Sequence, residues 1–184
     1  MKQKSNKYYD ELMLNFIKNK DKKTFYQIVE DWKGILINFF YNSNNNLETS
    51  EELTQDVFIT IWKIEKYQAQ GTFSSWIIKI SKNKLIDRLR KKKISTYSYD
   101  ESPHLAEFGN KYSLEDKIIN DDESSHVREI INNLPEDQKI ILTLSHIQDM
   151  PYQEIADIMN CSINSIKGKI FRAINKFKEL SRYV

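Results

Sequence analysis

Apolar residues recur along this chain at steps of three and four, and nowhere settle into strand-like alternation. In "YYDELMLNFIKN" the stripe includes Leu12 and Phe16. In "KTFYQIVEDWKGILINFFYN" it continues through Phe25, Ile28, Val29, Trp32, Leu36 and Phe39. That spacing predicts helices. The polar run "NSNNNLETS" interrupts it, and Thr49 or Ser50 is expected to cap the next helix, with Glu51 and Glu52 near its positive end. The helix "EELTQDVFITIWKIEKY" turns Leu53, Val57, Ile61 and Ile64 toward a core. "QAQGT" then reverses the chain into "FSSWIIKISKNKLIDRLRKKK", whose buried stripe is expected to hold Trp76 or Ile77, Ile80, Leu85 (or the stem of Lys84) and Leu89.

From Ile94 to about Glu123 the periodicity fades, with Pro103, Gly109 and one weak helical patch near "SLEDKII". Twenty extended residues reach roughly 70 Å at most, so this segment reads as a tether that lets two modules stand far apart. The second module opens at "SHVREIINNL". Pro135 then suits a first helical position, followed by Glu136 and Asp137. "PYQEIADIMN" is a short helix burying Ile155, Ala156 and Met159. Asn160 suits a left-handed turn, and Ser162 caps the next helix. The expected fold is all-α. Two small helical domains, 1–93 and 124–184, are joined by a flexible acidic linker, 94–123.

Composition agrees with this outline. A hydrophobic share of 40% supports folded cores, and only 4 glycines and 3 prolines leave long helices uninterrupted. One cysteine, Cys161, rules out an internal disulfide and suits a reducing compartment. The start lacks an apolar signal region, and the longest apolar run, near "ILINFF", is too short to span a bilayer. A soluble, cytoplasmic protein without direct membrane insertion is expected.

Charge changes the picture more. The net charge of +2 conceals segregation. Eight basic residues lie between Lys79 and Lys93 against Asp87 alone. Eight acids follow between Ile94 and Ser124 against Lys111 and Lys117. Six bases lie beyond Asn160 against Glu179. Two basic stripes on two bodies suggest two polyanion contacts.

The second stripe carries specific chemistry. Ile163, Ile166, Ile170, Ile174 and Phe177 form the inner face of a helix that follows a short helix and a tight turn. Asn164, Lys167, Gly168 and Phe171 share its outer face. Amide and cationic groups suit base edges, an apolar ring suits thymine methyls, and a glycine permits close approach. Lys169, Arg172 and Lys176 are placed for phosphates, and Ser162 and Ser165 lie at the helix start, where a backbone phosphate docks. Enzyme chemistry finds no counterpart. His104, His126 and His146 lack metal-ligand spacing with Cys161, and there is no phosphate loop or nucleophile motif. No catalytic residue, metal or cofactor is expected.

Here the chain resembles a known family, the extracytoplasmic-function sigma factors of bacterial RNA polymerase. "LPEDQKIILTLSHIQDMPYQEIADIMNCSINSIKGKIFRAINKFKEL" is similar to their fourth conserved region, which binds the upstream (−35) promoter element. "ELTQDVFITIWKI" and "FSSWIIKISKNKLIDRLRK" are similar to their second region. The resemblance implies an alternative sigma factor that binds core polymerase and directs promoter-specific initiation. "LTQDVFITIWK" would grip the clamp helices of the largest subunit through Gln55, Asp56, Phe58, Ile59, Trp62 and Lys63, and the polymerase flap is a further expected contact.

The helix from Phe73 would open and read the downstream (−10) element. Asn83 in "ISKN" matches the family's "I-A-x-N" asparagine, and Lys79, Lys82, Arg88 and Arg90 would hold phosphates. The connection from Tyr67 to Ser74 would frame a flipped base, with Phe73 and Trp76 mainly core and Asp87 pairing with a neighbouring base. Pro151 departs from the serine cap of many relatives. The resemblance also implies an anti-sigma factor as partner. Two rivals from other classes are a stand-alone helix-turn-helix regulator, which lacks a dimer helix here, and a pure interaction module, which leaves the basic stripes idle.

Overall fold

The computed structural model describes residues 4–44, 46–70, 72–97, 130–131 and 133–181. Among these the regular elements are all helical. The first half comprises α1 (Asn6–Asn19), α2 (Lys22–Asn44), α3 (Leu47–Trp62) and α4 (Phe73–Tyr97). The second comprises α5 (Glu136–Leu142), which runs into a widened turn at Thr143–Ile147, then α6 (Tyr152–Met159) and α7 (Ile163–Leu180).

Local chemistry sets the helix ends. Ser5 caps α1, accepting from the Tyr8 amide, and Lys20 leaves it in the left-handed region. Asp21 starts α2 by accepting from the Lys23 amide and the Thr24 hydroxyl. Those bonds hold its carboxyl below the usual carboxylate range. Helix α3 begins earlier than expected. Asn46 is its cap, accepting from the Thr49 amide at 2.7 Å. Thr49 and Ser50 therefore lie inside the first turn, and Ser50 bonds back to the Asn46 carbonyl instead. Asn160 (φ 55°) makes the left-handed turn after α6, and Ser162 caps α7 by accepting from the Ser165 amide, both as expected. Pro151 takes the cap position of α6, one residue before its first turn.

The first-half core is aromatic. Trp32, Phe39, Phe40 and Phe73 are fully buried with Met13, Phe16, Leu36 and Ile61. On α1 the buried stripe is Tyr9, Met13 and Phe16, leaving Leu12 only half-buried. On α4 it is Phe73, Ile77, Ile78 and Leu85, with Trp76, Ile80 and Leu89 half-buried beside it. On α6 Ile158 is buried, while Met159 is partly exposed.

Two expectations are corrected. Helix α4 continues to Tyr97, four residues into the segment assigned to the linker, because no glycine or proline stands there to stop it. The two modules do not stand apart. One buried apolar cluster runs from Tyr9 and Leu85 in the first half to Ile140, Ile155, Ile158 and Ile170 in the second. The reason lies in α4. Trp76, Ile77, Ile78 and Ile80 spread over a wide arc of its first two turns, leaving Lys79 to solvent, and so wide an apolar arc needs more than one partner. The rest of the expected tether, 98–123, lies outside the described residues.

Candidate nucleic-acid interface

Helix α7 is anchored by Ile166 and Ala173, both fully buried, and by Ile170 at 5% exposure. That fixes the opposite side outward. Asn164, Lys167, Phe171 and Arg172 are exposed, and Phe171 is the most exposed large apolar side chain among the described residues, at 66%. A single exposed ring is common on protein surfaces, but this one shares its face with Asn164, Lys167 and Arg172, so an apolar contact sits among polar and cationic ones. Gly168 is half-buried. A Cβ built there would meet only Nη1 of Arg172, at 3.7 Å, so internal packing does not require glycine. Ser162 is committed to the cap, and Ser165 is partly buried beside it. Lys169 reaches Asp137 of α5 at 3.0 Å, a partly exposed pair between two helices of the module. Lys176 is exposed and pairs loosely with Glu179 at 3.1 Å.

On α4 the residues Lys79 and Asn83 are exposed one turn apart, and Arg90 lies further along the exposed side. Arg90 bonds Asp87 at 2.7 Å, so Asp87 serves a neighbouring base as expected. Arg88 crosses to Glu52 of α3 at 3.1 Å. Both pairs are solvent-exposed and cost little to exchange for a phosphate. Phe73 is buried, and Trp76 packs on Tyr67 with ring centroids 4.8 Å apart, so neither ring is free to stack on a base. The α3–α4 connection exposes Gln68, Ala69, Gln70 and Thr72. Both glutamine amides can satisfy a base edge as donor and acceptor.

Helix α3 presents Gln55, Asp56, Ile59, Trp62 and Lys63 on its outer side. Ile59 is 50% and Trp62 40% exposed. Phe58 is not part of this surface. It turns inward against Phe25, at 8% exposure, because a residue one step past Val57 still falls on the wide core face. Trp62 lies over Phe16 and Phe25, at 5.2 and 5.0 Å, so its ring is rigidly placed with one side open. Rimmed by polar groups, Ile59 and Trp62 have the anatomy of a protein contact.

The closed arrangement touches the α4 surface directly. Lys82 donates from Nζ to the carbonyl oxygen of Ile158 at 2.9 Å, capping the end of α6. Burial, and the nearby Lys79, push its ammonium below the usual lysine range. At the start of α4, Ser75 and Ser74 donate to Oε2 of Glu154 at 2.8 and 3.3 Å. Sequence reasoning did not single out Glu154, Ser74 or Ser75. The wide apolar arc at the start of α4 is the available sign that a second body packs there. Among the described residues no cluster of three His, Cys, Asp or Glu is placed to hold a metal, and no helix is long and apolar enough to cross a membrane.

Residues 28–94 match the family model for sigma-70 region 2, and residues 126–177 match that for sigma-70 region 4. The chain is 27% identical over 165 residues to the ECF RNA polymerase sigma factor SigW of Bacillus subtilis, covering 85% of this chain and 88% of the relative. It is 26% identical over 177 residues to the ECF RNA polymerase sigma-E factor of Haemophilus influenzae, covering 89% and 90%. Among solved structures it superposes on CnrH in complex with the cytosolic domain of CnrY, with a TM-score of 0.72 and 18% identity over 96% of this chain and 98% of that one. It also superposes on the sigma factor RpoE of Bartonella quintana in complex with the anti-sigma factor NepR, with a TM-score of 0.71 and 22% identity over 87% and 98%. These similarities share the two-part helical fold seen here.

Proposed function

The chain belongs to the extracytoplasmic-function branch of the sigma-70 family, and on that premise we propose how its surfaces divide the work of an alternative sigma factor. Such a factor binds core RNA polymerase and directs promoter-specific initiation. It contributes recognition and strand opening while polymerase performs the chemistry, so this chain is not itself an enzyme. The proposed site of action is the cytoplasm.

In this reading residues 1–93 load onto polymerase and take the −10 element, and residues 124–184 take the −35 element. Asn164, Lys167, Gly168 and Phe171 enter the major groove, with Arg172 and Lys176 on phosphates. Asn83 reads an unstacked base, with Lys79, Arg88 and Arg90 on the strand backbone. Lys82 joins them once Ile158 releases it. Asp56, Ile59 and Trp62 meet the clamp helices, with Gln55 and Lys63 at the rim, and region 4 meets the flap. The carrying observation is the pairing of two outward basic faces, on α4 and α7, in one chain. A stand-alone helix-turn-helix regulator is not favoured, since it leaves the first half without a task. An anti-sigma factor is the expected inhibitor, and the RpoE neighbour was solved with one.

The test is transcription by purified core enzyme on fragments of the source genome. Addition of the protein is expected to create new, discrete start sites. Start sites unaffected by the protein overturn the reading.

A further inference from the structure

Helix α1 lies outside the stretch matched by the region 2 model, which begins at residue 28. Yet it holds both ends of the connection that exposes Gln68, Ala69, Gln70 and Thr72. At the far end, Oδ1 of Asn6 accepts from the Ser74 amide at 2.8 Å, so a residue 68 positions away caps the start of α4. At the near end, the Tyr67 hydroxyl donates to Oδ1 of Asp10, which is only 5% exposed. Asn6 and Asp10 are four residues apart and share one face of α1. Between them Tyr9 stacks on Phe73 with centroids 5.2 Å apart and planes 24° from parallel. The Tyr67 ring is in turn fixed edge-on to Trp76.

We propose that Asn6 and Asp10 are positioning residues for base capture, clamping the two ends of the α3–α4 connection so that its exposed amides are held ready for an unpaired base. The inference rests on the reading above that this connection meets the opened −10 strand. The physical case is one of ordering. A free loop must lose conformational entropy when it closes on a base, and fixing its ends beforehand removes part of that cost. Helix α1 supplies the fixed points because it is itself locked into the core by Met13 and Phe16. Neither clamp residue touches DNA in this scheme; each acts through Tyr67 or Ser74.

The experiment uses the full chain with core polymerase at a start site found by the genomic transcription assay. Permanganate reactivity of unpaired thymines reports strand opening, and core affinity is measured in parallel. Asp10→Ala and Tyr67→Phe are each expected to lower opening about tenfold, the scale of losing a hydrogen bond to a buried charged group. Core affinity should stay within about twofold. The double variant should be no worse than Asp10→Ala alone, since the Tyr67 hydroxyl then has no carboxylate left to lose. Asp10→Asn, which keeps an acceptor oxygen, should restore opening, and Asn6→Ala should impair it. Tyr67→Phe retains the ring that packs on Trp76, so it isolates the hydroxyl. Opening equal to wild type in these variants overturns the proposal, as does a parallel fall in core affinity, which marks a purely structural role. Failure of the wild-type chain to open any promoter strikes the parent reading instead.

Discussion

At the scale of single residues, Gly168 separates folding from recognition. Glycine inside a helix is less favourable than alanine by about 1 kcal/mol, and nothing within the protein needs the missing methyl. Gly168→Ala should therefore raise the melting temperature by about 3 °C. It should also weaken binding to −35 duplex DNA, because the methyl stands on the face proposed to enter the groove. Calorimetry and a duplex-binding titration check the two halves. Stabilisation with undiminished affinity removes the close-approach argument. Tyrosine ionisation provides a second residue-scale test. Burial first, then the Asp31 carboxylate, push the Tyr9 phenol up to about 12 from an ordinary value of 10.0. Burial and the bond to Asp10 raise Tyr67 as well. The neutral phenols are the ones the fold favours. Their contribution is complete below pH 10 and is lost as pH climbs through the raised values. A spectrophotometric titration should show the Tyr9 and Tyr67 phenols ionising late, together with unfolding. Tyr9→Phe should advance neither event if Tyr9 titrates normally.

At the scale of elements, helix ends were legible wherever the signal is local. Asn160, Ser162 and the acidic first turn of α5 follow from side-chain chemistry within a few residues. The start of α3 is harder to place because "NSNNNLETS" offers several competent caps, of which Asn46 is the one used. Asn46→Ala should cost about 1 kcal/mol in unfolding free energy, whereas Thr49→Ala should cost much less. Equal losses would return the cap to Thr49. Phe58 shows the same limit. Four residues from Trp62, it lies on the same side of the helix, but the burial arc of α3 is wide enough to take Phe58 and leave Trp62 at its edge. Trp62→Ala should therefore reduce core-polymerase affinity. Phe58→Ala should act mainly through stability, by about 3–5 kcal/mol for a large buried aromatic. The contacts of Asn6 and Asp10 had no sequence signal at all, since each bridges more than 50 residues.

At the scale of the molecule, the seam between the halves poses a competition. The start of α4 and Lys82 are bonded to α6, and the same helix is the proposed binder of the opened strand. The seam is also incompletely dry. A cleft of about 470 Å³ opens along it, lined in part by Lys4, Asn38, Ser74, Gln148, Asp149 and Glu154. Polar, solvent-reached contacts of this kind contribute little each, so beside the buried apolar cluster they tune the closed form by modest amounts. Glu154 is the most economical point of attack, because its single Oε2 accepts from both serines. Removing it with Glu154→Ala leaves the apolar cluster intact and shifts the closing equilibrium by about 1 kcal/mol, roughly fivefold toward the open form. Two measurements should move together. The radius of gyration from small-angle scattering should increase, and affinity for single-stranded −10 DNA should rise by up to about fivefold. Ser75→Ala, which removes the shorter of the two bonds, should reproduce part of both effects. A larger radius without tighter DNA binding would mean that α6 does not cover the strand-binding face. Neither change would mean that the apolar contacts of Ile155 and Ile158 hold the halves together alone.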